Sequence, residues 1–358
     1  MVNGLDIADA VVRYQVAGQP APGRRRAARD AVPVTREAPT DAVAPDGTIT
    51  AVAGVSLHVE PGEIVALLGA SGSGKSSLLR AVAGLEPLAA GRVSWDGADL
   101  AGVPTHKRNM GLMFQDPALF PNLSVGKNVA YGLHKLPRAR RAGVVERFLE
   151  LVGLPGYASR QVSELSGGQA QRVALARSLA PEPRLMLLDE PLSALDRALR
   201  ERLVGVLSEV LRATGTTAIH VTHDQDEAFA LADRVGVMAA GKLLQFDRPE
   251  VLWRRPVSVE VATFLGYDLV LTPEDAEALG VGTLRATAPV ALGPESLFQD
   301  AAGAELAIVD QLARRGYVEV GVRLPSGQRA ELRVPDRLDA ETVRVRTDPD
   351  AVSVVQPG

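Results

Sequence analysis

The chain of 358 residues contains no cysteine. That excludes disulfides, thiolate-ligated zinc and cysteine-held iron–sulfur clusters, and it fits a reducing compartment. There is no basic excess either: 39 Lys and Arg stand against 43 Asp and Glu, a formal charge of -4. Without a basic field the chain lacks the electrostatic footprint of a nucleic-acid binder, so no nucleic-acid partner is expected. No run of about 18 apolar residues occurs, so no membrane-spanning helix is expected. The opening "MVNGLDIADAVV" has no basic n-region followed by an apolar h-region, so no secretory signal is expected. Any membrane role would have to come through a partner.

What is present is an alternation of short apolar runs and helical text. "LDIADAVVRYQV" (5–16) reads as a strand, and "RVSWDGADL" reads as a hairpin turning at Asp96-Gly97. Residues 17–47, rich in Ala, Pro and Arg without apolar period, read as a disordered insertion or long loop. "IVALLG" (64–69), "RLMLLDE" (184–190) and "TAIHVTH" (217–223) are apolar on both faces, as central strands of a covered parallel sheet are. Ligands of such sheets sit beyond the carboxyl ends of the strands, where each of these three runs ends in a polar group. From Gly241 to Gly266 the text reads as a turn and linker helices, with Asp247 and Glu250 spaced as a capping box. Beyond Tyr267, "YVEVGVRL", "RAELRVP" and "ETVRVRT" alternate with period two and read as a small all-β domain. The division expected is therefore 1–240, 241–266 and 267–358.

"GASGSGKS" runs from Gly69 to Ser76 between a strand and a helix, the context that G-x-x-x-x-G-K-[ST] requires. Gly69, Gly72 and Gly74 let backbone N–H groups turn inward on a phosphate, with Ala70, Ser71 and Ser73 between them. Lys75 brings a point charge to the β- and γ-phosphates, and Ser76 brings a hydroxyl to Mg²⁺, with Ser77 next on the helix. In "LMLLDEP", Asp189 is placed to hold the metal and Glu190 to orient or deprotonate a water; a solvated acidic turn would read the same in isolation. "LSGGQAQRVALARSLA" opens a helix on Ser166, Gly167 and Gly168. Helix starts carry orphan N–H donors, so this is a second anion-binding end, aimed at a phosphate the residues do not identify.

Phosphate loop, LSGGQ and LLDEP in this order resemble the ATP-binding cassette (ABC) family. Phe114-Gln115-Asp116 is similar to that family's Q-loop, Ser193-Ala194-Leu195-Asp196 to its D-loop, and His223 to its switch histidine. The resemblance implies an α/β P-loop cassette with an antiparallel β subdomain and a helical subdomain, followed by an OB-like, TOBE-type β domain. It implies ATP and Mg²⁺, with Ser76, Gln115 and Asp189 at the metal and Glu190, Gln115 and His223 in hydrolysis. It implies head-to-tail pairing with a second copy, in which Ser166, Gly167, Gly168 and Gln169 meet the partner's nucleotide and Asp196 communicates across the dimer. An aromatic stacking on adenine belongs upstream of the phosphate loop, and Tyr14 is the candidate. No fused membrane helices, no second cassette and no inserted coiled coil are present. The family position implied is therefore the energy-coupling subunit of a binding-protein-dependent importer. Such a subunit sits at the cytoplasmic face of the membrane with separate permeases and an extracytoplasmic binding protein. Its cargo would be ferric iron, thiamine, a polyamine or quaternary amine, or a sugar. The alternative is a soluble ABC ATPase acting on nucleic acid or ribosomes.

Overall fold

A computed structural model describes residues 3–15, 47–116, 118–193, 195–267, 269–281, 290–293, 295–348 and 352–355. The insertion read at 17–47 lies outside the described residues apart from Gly47, as does Ala194. The chain divides into two compact units, Met1–Phe246 and Asp247–Gly358.

In the first unit, β1 (Leu5–Gln15), β2 (Thr48–Val59) and, after β3 (Ile64–Leu68) and α1 (Lys75–Ala83), β4 (Ala90–Trp95) and β5 (Ala98–Asp99) form an antiparallel sheet in the order β2-β1-β4-β5. Asp96 and Gly97 turn the β4–β5 hairpin with φ of 49° and 77°, the left-handed pair that a two-residue turn demands. Next come β6 (Met110–Met113), the helices α2 (Val125–Val129), α3 (Arg138–Leu151) and α4 (Gly167–Leu179), then β7 (Leu185–Asp189), α5 (Arg197–Thr214), β8 (Thr217–Thr222), α6 (Gln225–Leu231), β9 (Arg234–Ala239) and β10 (Lys242–Asp247). The second sheet runs β10-β9-β3-β8-β7-β6, with β9, β3, β8, β7 and β6 mutually parallel. Every residue of β3, β7 and β8 is buried, which is why their text shows no alternation. Because β3, β8 and β7 are neighbours, the loops leaving their carboxyl ends stand side by side.

The amphipathic α1 is held at its far end by Arg108. This residue is 8% exposed and donates to the carbonyls of Ala81, Val82, Leu100 and Val103. Two of these carbonyls, Ala81 and Val82, belong to the helix's last turn, where i+4 donors run out; Ala81 also accepts from the Gly84 amide at 3.0 Å. α1 ends at Gly84, φ 77°.

The second unit carries α7 (Pro249–Arg254), α8 (Val259–Phe264), β11 (Leu269–Leu271), α9 (Pro273–Ala278), β12 (Val290–Leu292), β13 (Leu297–Arg314), β14 (Tyr317–Arg323), β15 (Arg329–Val334), β16 (Thr342–Thr347) and β17 (Val352–Val354). Its sheets run β11-β12-β17 and β15-β14-β13-β16. β15 and β16 alternate strictly between exposed and buried, with the inward Val, Leu and Ala residues forming this unit's own core. The segment 241–266, expected as turn and linker helices, begins instead with β10, which joins β9 through Ala240-Gly241 at positive φ. The capping box expected at Asp247 and Glu250 does not form. α7 starts at Pro249 with Arg248 as N-cap, and the Asp247 carboxylate accepts from the Arg248 amide. Proline's fixed φ suits the first helical position, and this sets the start one residue later than the box requires. Among the described residues no helix is long and apolar enough to cross a membrane.

Candidate active site

The loop from Gly69 to Gly74 leaves β3, passes under β9–β10 and enters α1. The Gly241 amide donates to the Ser73 carbonyl at 3.1 Å. At Gly74, φ is 98°, and a Cβ there would overlap the Ala51 carbonyl oxygen of β2. Lys75 is 3% exposed, and its ammonium donates to the carbonyls of Gly69 (2.7 Å) and Ala70 (3.0 Å) and to Ser73 Oγ (3.3 Å). A buried ammonium surrounded by the loop's own oxygens is a charge held at the floor of a cradle.

β7 delivers Asp189 to the same place. The Ser76 hydroxyl donates to Asp189 Oδ1 at 2.6 Å, and Arg80 Nη2 lies 3.8 Å from Oδ2. Asp189 is 7% exposed. Glu190 follows in the left-handed region, φ 47°, a conformation costing a non-glycine residue about 1–2 kcal/mol. Its amide donates to Val221 on β8 at 3.0 Å and its carbonyl accepts from Ser193 Oγ at 2.9 Å, so both neighbours hold the strained turn. The Glu190 carboxylate thereby points at the end of β8, where His223 Nδ1 lies 3.4 Å from Oε2.

A cleft of about 610 Å³ opens over these groups, lined among others by Ser76, Arg80, Gln115, Gly167, Asp189 and Glu190. It brings together the phosphate loop, the acidic pair and Gln115. Of the LSGGQ residues only Gly167 lines it. Ser166 caps α4 by accepting from the Gln169 amide, and Gln169 Oε1 accepts in return from the Ser166 amide at 2.9 Å, a capping box. The Gln169 amide group also reaches Tyr157 Oη at 3.3 Å, so that side chain is committed within its own helix entry. Gly167 has open space where a Cβ would stand, whereas at Gly168 a Cβ would press on Leu199 of α5. Asp196 caps α5, accepting from the Leu199 amide at 3.0 Å.

Tyr14 is half-buried, packs on the core of the first unit, and its hydroxyl donates to Ser77 Oγ at 3.1 Å. Burial raises its pKa, and the Ser77 contact opposes that rise. Arg80 and Gln171 were not singled out from the sequence. Arg80 is recoverable only by noting that it stands four residues after Ser76 on one helix face. Gln171, 5% exposed, donates to the Pro191 carbonyl and so ties α4 to the turn after Glu190. No sequence pattern announces that contact.

The donor set fits a hard cation. A hydroxyl and a carboxylate oxygen lie 2.6 Å apart in a buried corner beside the cradle. Among the described residues no cluster of three or more His, Cys, Asp or Glu side chains could hold a metal unaided. Mg²⁺ characteristically takes one or two protein oxygens and completes its shell with water and phosphate.

A family profile described as ABC transporter matches residues 52–193. The chain is 44% identical over 308 residues to an Fe(3+) ions import ATP-binding protein of Rhodococcus jostii, covering 82% of this chain and 88% of the relative. The chain belongs to the ABC transporter ATP-binding family. A similarly described protein of Streptomyces coelicolor is 58% identical over 218 residues. That match covers 60% of this chain and 63% of the relative, so this ABC chain spans under two thirds of that protein's length. Among solved structures, an ABC cassette in a dimeric post-hydrolysis state with ADP and Pi aligns with TM-score 0.55 and 25% identity over 68% of this chain and 98% of that one. The ABC family implies binding of ATP and Mg²⁺, which the cradle and the Ser76–Asp189 corner of this cassette fit.

Proposed function

We propose that the chain is the ATP-hydrolysing subunit of an importer, pairing with a second copy and driving separate permease subunits from the cytoplasmic face of the membrane. The observation that carries this reading is the convergence of Ser76, Asp189 and Glu190 on one cleft, with His223 Nδ1 3.4 Å from the Glu190 carboxylate. Names of relatives support the import direction and favour ferric iron as cargo, which the permease and an extracytoplasmic binding protein would handle.

MgATP, when bound, supplies the scissile γ-phosphoryl group and the cation that neutralises its charge. Ser76, Asp189 and Gln115 would hold the metal. Lys75 would exchange its carbonyl partners for phosphate oxygens, a charge-assisted contact stronger than the neutral ones it leaves. Glu190 is the acceptor for the proton of the attacking water. His223, within 3.4 Å of it, orients that carboxylate. Tyr14 stands beside α1 as the surface for adenine. Ser166, Gly167 and Gly168 serve the nucleotide of the partner, and Asp196 lies at the interface. The second unit is read as a TOBE-type regulatory domain.

Glu190→Gln tests the chemistry. Removing a general base lowers turnover by about 10²–10⁴-fold. MgATP affinity should persist, and ATP should trap a dimer visible by size-exclusion chromatography with light scattering. Hydrolysis by the variant at the wild-type rate contradicts the assignment. Co-purification with an integral membrane permease supports the importer reading, and stimulation of hydrolysis by RNA or DNA supports the alternative.

A further inference from the structure

Behind the His223–Glu190 contact lies a charged cluster that the proposed chemistry does not use. His220 and Glu227 are 0% and 4% exposed. His220 stands within β8, opposite Ala66 on β3 and Leu188 on β7. Its Nε2 lies 2.8 Å from Glu227 Oε1 without hydrogen-bond alignment, and its Nδ1 has no hydrogen-bond partner. The other Glu227 oxygen accepts from the Thr222 hydroxyl at 2.8 Å. Thr222 Oγ1 accepts in turn from the Asp224 amide at 3.0 Å, and Asp224 Oδ1 accepts from the Glu227 amide at 3.1 Å. On the outer side, Arg200 of α5 donates to Asp224 Oδ2 at 2.8 Å and to the Leu195 carbonyl at 3.0 Å. Both sequence neighbours of His223 are thus held, and Glu227 touches both.

Enclosing a carboxyl group and an imidazole costs hydration, and an apolar pair of similar volume would fill the same space without that cost. What an apolar pair cannot supply is the chain of directed bonds that joins Glu227 to Thr222 and Asp224 on either side of His223. We propose that Glu227 is a positioning residue, braced by His220, that fixes the Thr222–Asp224 turn so that His223 faces Glu190. The inference rests on the role given to His223 above.

The test uses the full-length chain and reads kcat, KM, MgATP affinity and the histidine side-chain NMR spectrum of ¹³C-histidine protein, with the His223 signal assigned by its loss in His223→Ala. Glu227→Ala should lower kcat by about 10- to 100-fold, the cost of misplacing a group by roughly 1 Å, with MgATP affinity unchanged. Glu227→Gln keeps an acceptor for Thr222 and should recover kcat to within about threefold of wild type. Thr222→Val keeps the shape, breaks the same chain, and carries the test should Glu227→Ala fail to fold. In either damaged variant the His223 signal should move. In a His223→Ala background the same changes should lower kcat by less than about threefold further, because contacts acting through one residue are not additive. An unmoved His223 signal, or an equal loss of kcat with and without His223, overturns the positioning role. Wild-type turnover in His223→Ala alone removes instead the reading of His223 on which it rests.

Discussion

Alanine at Gly72 and alanine at Gly74 should differ in cost although the two glycines share one loop. Both have positive φ, 86° and 98°. An L-residue in the left-handed region costs about 1–2 kcal/mol, and the stiffer unfolded chain returns about 0.4–1 kcal/mol. At Gly72 nothing lies within 4 Å of the added Cβ, so that difference, about 1 kcal/mol, is the whole effect. At Gly74 the Cβ also overlaps the Ala51 carbonyl, part of a strand paired along its length with β1 and tied to Gly241 through Ala53. Backbone cannot rotate aside as a side chain does, so a further ~1–3 kcal/mol of overpacking follows and the total is about 2–4 kcal/mol. Urea unfolding without nucleotide, followed by linear extrapolation, separates values of this size. MgATP affinity should also fall more at Gly74, since relief of the overlap moves the loop. Equal losses for the two variants, or a larger loss at Gly72, would refute the reasoning.

Other consequences follow from single residues. Arg108→Met keeps the volume but takes the arginine donor from four carbonyls, of which Ala81 and Leu100 keep a backbone donor, from Gly84 and Val103; the loss of about 3 kcal/mol lowers Tm by roughly 6–12 °C, measured by calorimetry. In the second unit Asp275 is buried. Burial alone would raise its pKa, but contacts from Ser326 and Thr272 hold the carboxyl below its ordinary value. Its contribution is therefore present above the unfolded value near pH 4 and is lost as pH falls through the lower folded value. Asp275→Asn should flatten that acid limb. Urea melts between pH 3 and 7 read it, with Trp253 as the reporter in a Trp95→Phe background.

The parallel core was legible because burial on both faces writes itself as unbroken apolar runs, and β3, β7 and β8 lie where those runs lie. The phosphate loop was legible because glycine positions, lysine and serine must keep fixed spacing around one phosphate. The left-handed Glu190 was not. That conformation is set by Val221 and Ser193, and no local preference of glutamate points to it. Arg108 reads as one more surface arginine until the fold closes four carbonyls around it. The box expected at Asp247 was overruled by the neighbouring Pro249, a local competition between two helix-start signals. Gln169 matches the signature by position, yet its amide is engaged in its own capping box, a use that depends on where the helix begins.

The central claim is that each nucleotide lies between two copies of the chain. Gly167 lines the cleft of its own protomer, so a site completed within one chain is the competing arrangement. Mixed dimers carrying Lys75→Ala and Gly167→Asp, purified through two different affinity tags and assayed for trapped nucleotide, decide between them. Gly167 is the position to use because an added side chain there meets open space, whereas at Gly168 it would press on Leu199. With both changes on one protomer, every shared site holds one damaged half, and no nucleotide should be occluded. With one change on each protomer, both damaged halves fall in the same site, and the other should still occlude nucleotide. Occlusion in the one-protomer double variant together with none in the split pair would contradict the shared site.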